Sequence, residues 1–599
     1  MKPWSRFAVS TLASSLVGLL PPVASAQAPA KPSWVAKSDV HAKVLVDVLA
    51  RFGPEGASQF GVEGLDKEIL DLKPGRQERV QKELKAALAD LETRLAAETD
   101  PTVRQDLEIL VDSARDNITG NDLTYKLQVP YFDAVQVVFF GMRGLLDDQV
   151  AAERRPAALT RLKRYTGLEP GYTPVLELAR DRIRERLGVA GLQGPVKAAV
   201  EKNIGNSAFY VDGIAQLFQK FQIAGWEEPH ARLKAQVAAY NDFLKAEVLP
   251  RSREDFRLPE EIYAYRLKQV GVDIPATQLV ERARIAFMEI RNEMKTLAPL
   301  VARDKGLAVT DYRDVIRELK KQQIVGDAIL PHYQARLKQM EEIIRREGII
   351  SLPERAARIR VASEAESAQT PAPNMRPPRL IGNKGEMGEF VLPLRVPTTG
   401  AAAGAMQGFD DFTFDASSWT LTAHEVRPGH ELQFAALVEK GVSLARAVFA
   451  FNSVNVEGWA LYAEAEMKPY MPLDGQLIGL QHRMMRAARA FLDPELQLGL
   501  IQPDQAVRFL MDEVVLSEPM ARQEVERYTF RSPGQATSYF YGYLRWMELK
   551  SRVELALGKK FDRKRYHDFL LAQGLLPPAV LTKTVLAEFV PREPAKGDR

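Results

Sequence analysis

The chain has 599 residues, of which 46% are apolar and 27% are charged, an ordinary composition for a globular protein that is large enough to enclose a cleft. Its formal net charge of +3 gives no reason to expect nucleic acid or an anionic membrane as a partner. The sequence contains no cysteine, which excludes a disulfide framework.

The first 26 residues predict a secretory signal peptide. Lys2 and Arg6 precede an apolar stretch from Phe7 to Leu20, and Ala-Ser-Ala at 24–26 offers a cleavage site. The stretch is short for a membrane span, and a retained N-terminal anchor is the alternative. Because no cysteine is available to carry a lipid, we expect a secreted, periplasmic protein without a membrane span. Residues 27–35 predict a linker.

Most of the following sequence has helical periodicity. Leu84, Leu88, Leu91 and Leu95 recur on one helical face, and residues 280–297 hold a second apolar face over nearly five turns. We interpret both faces as core. The chain is therefore predicted to be mainly helical, with a helical N-terminal part at 36–364 that forms one wall of a cleft and a catalytic part at 365–599.

Prolines and glycines interrupt the helical pattern between residues 365 and 406. Within this stretch, Gly388–Leu394 is the best strand candidate, and its Pro393 suits an edge strand. An exposed edge strand could pair with the backbone of an extended peptide. The alternative is a loop that merely covers the core.

Two histidines flank a helix interruption in the sequence His-Glu-Val-Arg-Pro-Gly-His at residues 424–430. Two imidazoles with an adjacent carboxylate are typical of a catalytic zinc site, which has three protein ligands and an open position for water. The six-residue spacing puts His430 about 240° around a continuous helix from His424. Because Pro428 and Gly429 can break the helix, they could return His430 to the face of His424. A lone histidine would more often be a core residue, but the adjacent Glu425 favours a metal site.

A second helix is predicted over about 452–467. Its Glu457 and Glu464 share one face, as seven-residue spacing requires. Glu457 is a candidate third ligand, although a first-turn glutamate could equally interact with the helix dipole. Glu464 could orient a liganding imidazole or lie in solvent. His482 could reach the cleft, but we favour a surface position for it; the remaining histidines are interpreted as structural, namely His41, His230, His332 and His567.

Tyrosines cluster after residues 533–535. Tyr539 and Tyr543 fall on one helical face, and Gly542 between them permits close approach of another backbone. Phenol hydroxyls can donate to an oxyanion, although such rings usually serve packing. Arg527 and Arg531 could bind a substrate carboxylate or be ordinary surface charges.

Taken together, these motifs resemble the bacterial family called domain of unknown function 885, which is grouped with the gluzincin metallopeptidases. The motifs are residues 424–430, Glu-Gly-Trp-Ala-Leu-Tyr-Ala-Glu at 457–464, Arg-Tyr at 527–528 and Pro-Gly-Gln-Ala at 533–536 leading to Tyr539. Their order is also similar to thimet-type oligopeptidases and angiotensin-converting-type dipeptidases, from which the Pro-Gly insertion departs.

The resemblance implies a mainly α, gluzincin-like fold with a deep central cleft and a small β element near the helix that carries His424. It implies one Zn²⁺ per chain, held by His424, His430 and Glu457, with Glu425 as general base and Tyr539 as oxyanion donor. Tyr543, on the same helical face as Tyr539, is a further catalytic candidate.

The predicted function is that of a secreted zinc metallopeptidase that hydrolyses short peptides. One alternative is a catalytically silent protein that binds peptides or metal on the same scaffold. Another is a zinc hydrolase of non-peptide amides or esters, because the same activation of water would serve it. Retention of Glu425 favours an enzyme, since a silent protein has no chemical need for that carboxylate.

Overall fold

The computed structural model describes residues 32–398 and 404–592, and helices dominate it. The predicted signal peptide lies outside the described residues. The linker prediction is wrong from residue 33 onward, because the first helix begins at Ser33 and buries Val35 completely. No helix of the described ranges is both long and apolar enough to cross a membrane.

The helices confirm the mainly α prediction. In chain order the first thirteen are α1 (Ser33–Phe52), α2 (Pro54–Phe60), α3 (Arg76–Ala97), α4 (Pro101–Leu127), α5 (Ala134–Arg143), α6 (Ala157–Tyr165), α7 (Val175–Leu187), α8 (Lys197–Lys220), α9 (Glu227–Phe243), α10 (Glu260–Gln269), α11 (Ala276–Lys305), α12 (Tyr312–Lys320) and α13 (Ile329–Glu347). The predicted apolar faces lie in α3 and α11, where Leu91 and Met294 are fully buried.

The second half of the chain carries the remaining helices. They are α14 (Glu364–Gln369), α15 (Asp415–Glu425), α16 (His430–Lys440), α17 (Ser453–Met467), α18 (Leu473–Gln497), α19 (Pro503–Asp512), α20 (Glu518–Glu526), α21 (Ser538–Leu557), α22 (Arg563–Ala572) and α23 (Pro578–Thr584). Helix α11 packs along α18 within the largest apolar core, so the proposed N-terminal and catalytic parts share a core.

A small β element precedes α15. Its strands are β1 (Arg358–Val361), β2 (Asn374–Arg376), β3 (Glu389–Leu392), β4 (Arg395–Pro397) and β5 (Met406–Gly408). β3 lies between parallel β1 and antiparallel β2, while β4 pairs with β5. The predicted strand is therefore present, but the edge assignment is wrong. Pro393 comes after the last residue of β3 and so removes none of its ladder hydrogen bonds.

Helices α17 and α21 cross at two glycines. A Cβ atom on Gly458 would lie 2.5 Å from the carbonyl carbon of Gly542, and one on Gly542 would lie 2.2 Å from the Val454 carbonyl oxygen. Any side chain at either position would therefore separate the helices. This contact confirms the predicted close approach at Gly542 and brings the Glu457 turn beside the helix of Tyr539.

Candidate metal centre

The predicted helix break separates the two histidines. Helix α15 ends at Glu425 and α16 begins at His430. The two imidazole rings then lie 4.7 Å apart between centroids, at an interplanar angle of 83°. A continuous helix would have turned them away from each other. The break therefore brings His430 back beside His424, as the sequence predicts.

Two features fix the short segment between α15 and α16. The indole N–H of Trp459 donates to the carbonyl oxygens of Pro428, at 3.0 Å, and Gly429, at 3.3 Å. A Cβ atom on Gly429 would lie 1.9 Å from the His424 carbonyl oxygen. Position 429 thus has no space for a side chain, and Trp459 of α17 anchors the segment that carries His430.

Three potential ligand atoms converge on one point. The Oε2 atom of Glu457 lies 3.6 Å from Nε2 of His424 and 3.2 Å from Nε2 of His430. Ligand atoms around a tetrahedral zinc with bonds near 2.0–2.1 Å are about 3.3 Å apart, so these separations fit such an ion. Glu457 Oε2 is also buried and makes no hydrogen bond in the described structure. The donor set and the unsatisfied oxygen both fit a divalent metal.

The electrostatics favour the ionised form of Glu457. Burial alone would raise the pKa of the Glu457 carboxyl, but His424 and His430 outweigh it and hold that pKa well below its usual range. Glu457 is therefore ionised at neutral pH, as a metal ligand must be.

Glu464 holds His424 from the opposite side. Its Oε1 lies 2.7 Å from His424 Nδ1, and its Oε2 accepts from the Thr420 hydroxyl at 2.5 Å. Burial raises the pKa of Glu464, but Arg486 and His424 lower it to about 2, so the carboxylate can only accept. The Nδ1 proton must then point to Glu464, which leaves Nε2 free for the metal. The solvent-exposed alternative for Glu464 is wrong, because the residue is 6% exposed on a helix packed against α15.

Glu425 lies beside the three ligand atoms with one oxygen unsatisfied. Its Oε1 is 3.9 Å from His424 Nε2, and its buried Oε2 makes no hydrogen bond in the described part of the chain. Burial raises the pKa of Glu425 to about 8, although His430 opposes the shift. A carboxyl group whose pKa lies near neutrality is suited to accept and return a proton.

Tyr539 and Tyr543 occupy different surroundings. The Tyr539 ring stacks on His424, with centroids 6.2 Å apart and planes at 9°. Its hydroxyl oxygen accepts from Arg527 Nη2 at 2.9 Å, so the phenol proton remains available for donation. Tyr543 instead lies near Arg483, 6.0 Å from ring centroid to guanidinium carbon, and the described structure shows no contact between it and the ligand atoms.

Several side chains of α18 are buried near the site, and the sequence did not predict their burial. On α18, His482 is 5% exposed, so the predicted surface position is wrong; this helix is enclosed by α11, α15 and α21. Arg486 and Arg489 follow on the same face, and Arg489 pairs with Glu524 through two contacts of 2.7 Å. The i, i+4, i+7 spacing of His482, Arg486 and Arg489 on one face of α18 is the only sequence signal for this cluster.

The sequence matches a family profile described as "Bacterial protein of unknown function (DUF885)" over residues 54–585. The chain belongs to this family. Comparison with curated proteins finds no significant match.

Two solved structures share the fold. A candidate lipoprotein from Colwellia psychrerythraea superposes with a TM-score of 0.73 at 17% identity, covering 93% of this chain and 100% of its own. A candidate lipoprotein of unknown function from Shewanella oneidensis gives 0.68 at 18% identity, with the same two coverages. A candidate oligoendopeptidase F from Bacillus anthracis gives only 0.27 at 11% identity, with 85% and 95% covered, and this similarity is too weak to carry an argument.

Proposed function

We propose that the protein is a secreted, zinc-dependent metallopeptidase of the gluzincin type that hydrolyses short peptides. The observation that carries this proposal is the convergence of His424, His430 and Glu457, with distances of 3.2 and 3.6 Å from Glu457 Oε2 to the two imidazoles. The unsatisfied carboxylate of Glu425 beside them supplies the base that a hydrolase needs and a metal store does not.

Each side chain has a defined task in this scheme. Bound zinc would polarise the scissile carbonyl and acidify a water molecule. Glu425 takes a proton from the attacking water and returns it to the leaving amine. Tyr539 donates a hydrogen bond from its phenol O–H to the developing oxyanion. This is possible because its contact with Arg527 uses the phenol oxygen only as an acceptor. Glu464 keeps the His424 ring in its liganding orientation.

The test is the replacement Glu425→Gln, which preserves side-chain size and leaves the three ligands in place. Hydrolysis of a mixed peptide library, followed by mass spectrometry, should fall by about two to four orders of magnitude. Zinc content should stay unchanged. Equal turnover by both proteins would remove Glu425 from the reaction.

Two alternatives give different results in the same experiment. A catalytically silent binding protein would bind library peptides without cleaving them in either form. A zinc hydrolase of non-peptide amides or esters would leave the peptides intact and cleave small amide or ester substrates, with the same dependence on Glu425.

A further inference from the structure

The Arg527 side chain has only neutral hydrogen-bond partners. It opens the helical turn Arg527–Arg531 that follows α20. Its Nε donates to Gln535 Oε1 at 3.0 Å, and its Nη2 donates to Tyr539 Oη at 2.9 Å. Within the described residues, Nη1 makes no hydrogen bond, and the carboxylate oxygen closest to it is Glu524 Oε1 at 3.8 Å.

The charge of Glu524 is already matched by another guanidinium. Arg489 donates to both of its oxygens at 2.7 Å, and the Tyr528 hydroxyl donates to Oε2 at 2.8 Å. Arg527 and Arg489 therefore face the same carboxylate, and within the described residues Arg527 has no carboxylate of its own at hydrogen-bond distance. Because a largely buried charge is costly unless it is closely paired, the arrangement favours an anionic ligand.

Arg527 is also close enough to the metal centre to act on a substrate. Its guanidinium carbon lies 5.0 Å from the Tyr539 ring centroid, and that ring stacks on His424 at 6.2 Å. One extended residue spans about 3.5 Å, so a peptide segment of at most about three residues covers the combined distance from Arg527 to His424. The Arg527 side chain is 16% exposed, as is that of Glu457, whereas Arg489 retains 5%. Arg527 is thus the more accessible of the two guanidinium groups.

We propose that Arg527 binds a carboxylate of the peptide substrate within about three residues of the scissile bond. The carboxylate is either the free C-terminus or an acidic side chain, because the guanidinium fork recognises both in the same way. This inference rests on the proposed peptidase function and names its substrate class: short peptides anchored by a terminal or side-chain carboxylate.

The first test compares one set of N-acetylated tetrapeptides in three forms: a free C-terminal carboxylate, a C-terminal amide, and an amide whose last residue is glutamate. The wild-type protein should hydrolyse the free acids about 10- to 100-fold better in kcat/KM than the plain amides. Arg527→Gln should bring this ratio close to one, chiefly through KM. If the glutamate amides match the free acids, Arg527 accepts either carboxylate; if only the glutamate amides exceed the plain amides, the recognised carboxylate is a side chain.

Arg531→Gln is the matched control. It removes the same charge from the same turn, but Arg531 Nη2 donates to the Gln523 carbonyl oxygen and leaves Tyr539 untouched. The preference for free acids should persist in this variant. If Arg527 only supports Tyr539, then Arg527→Gln will slow all three peptide forms equally, and the unchanged ratio would overturn the inference.

A binding measurement separates this inference from the proposed function. If the wild-type protein cleaves none of the peptides, the peptidase proposal fails, but calorimetry with the same peptides still tests Arg527. In the Glu425→Gln background, free acids should bind about 10-fold more tightly than plain amides, and adding Arg527→Gln should abolish that difference. Equal affinity for all three forms, or no binding of any, would overturn the carboxylate site.

Discussion

Two buried clusters of charged side chains differ in whether their polar atoms are satisfied. In the first, Asp106 of α4 accepts from Arg446 Nε at 2.7 Å, from Ser38 at 2.6 Å and from Ser443 at 2.5 Å. These four residues, the Asp106 cluster, connect α1, α4 and the segment before α17. Both carboxylate oxygens have partners, so the cluster has no remaining capacity for a ligand.

The candidate metal centre is also largely buried, but it is incompletely paired. One oxygen of Glu425 and one of Glu457 lack hydrogen bonds, although both atoms are inaccessible to solvent. Leaving such atoms unsatisfied destabilises a fold, and native proteins do so mainly where a ligand or a reaction uses them. Burial of charge therefore does not distinguish these clusters. The unsatisfied atoms do: the Asp106 carboxylate is fully paired, whereas the candidate metal centre has oxygens left to bind a ligand, as the proposed function requires.

The largest expected effect is on stability, at the Asp106 cluster. Asp106→Asn leaves Arg446 without its anion in a buried position and should destabilise the protein by about 3–5 kcal/mol, measured as a lower midpoint of thermal or urea unfolding. Zinc content per folded chain should not change. A variant of normal stability that loses zinc would reverse the roles that we assign to the two clusters.

Gly429→Ala should separate the metal centre from general stability. The added Cβ would lie 1.9 Å from the His424 carbonyl oxygen, so the segment must move and displace His430. Loss of a residue that only orients a metal ligand lowers metal affinity by roughly 10- to 100-fold, and we expect Gly429→Ala to lower zinc affinity by at least that factor. Competition with a chromophoric chelator measures it. Gly56→Ala is the control, because a Cβ atom there meets no atom within 4 Å. Unchanged zinc affinity in Gly429→Ala would show that His430 is not a ligand.

Glu464→Gln should weaken zinc binding without removing a ligand. The change leaves an acceptor for His424 Nδ1 but removes the negative charge that orients and polarises the ring. We expect a loss of about 10- to 100-fold in affinity, measured by the same competition. A complete loss of zinc in Glu464→Gln, together with normal binding in Glu457→Gln, would mean that Glu464 is the third ligand and Glu457 is not.

Trp459→Phe should give the smallest effect. It keeps an aromatic ring in the core but removes the N–H that donates to Pro428 and Gly429, a loss of about 1 kcal/mol, or roughly fivefold in zinc affinity. Trp546→Phe is matched to it, because Trp546 is also buried and its N–H donates to the Asn455 carbonyl oxygen at 3.1 Å, within α17. An equal decrease in both variants would indicate a general packing effect and no specific support of the segment.

Short-range patterns predicted most of the candidate site. The break at residues 428–429 and the seven-residue spacing of Glu457 and Glu464 depend on local helix geometry, and the structure places these side chains around His424. The burial of His482 could not be predicted, because α11, which covers α18, lies almost 200 residues earlier in the chain. The position of β3 depends likewise on pairing with β1 and β2, which its own sequence does not encode. All four of its residues are buried, a pattern that indicates a covered strand only once its neighbours are known.

The most direct test of the metal centre is the zinc content of purified protein, compared between the wild type and His424→Ala after equilibration with zinc and removal of the excess. We predict close to one zinc per wild-type chain and almost none in His424→Ala, with both proteins folded by circular dichroism. Full zinc occupancy in His424→Ala, or a wild-type protein that binds no zinc, would contradict the assignment of His424, His430 and Glu457 as a metal site.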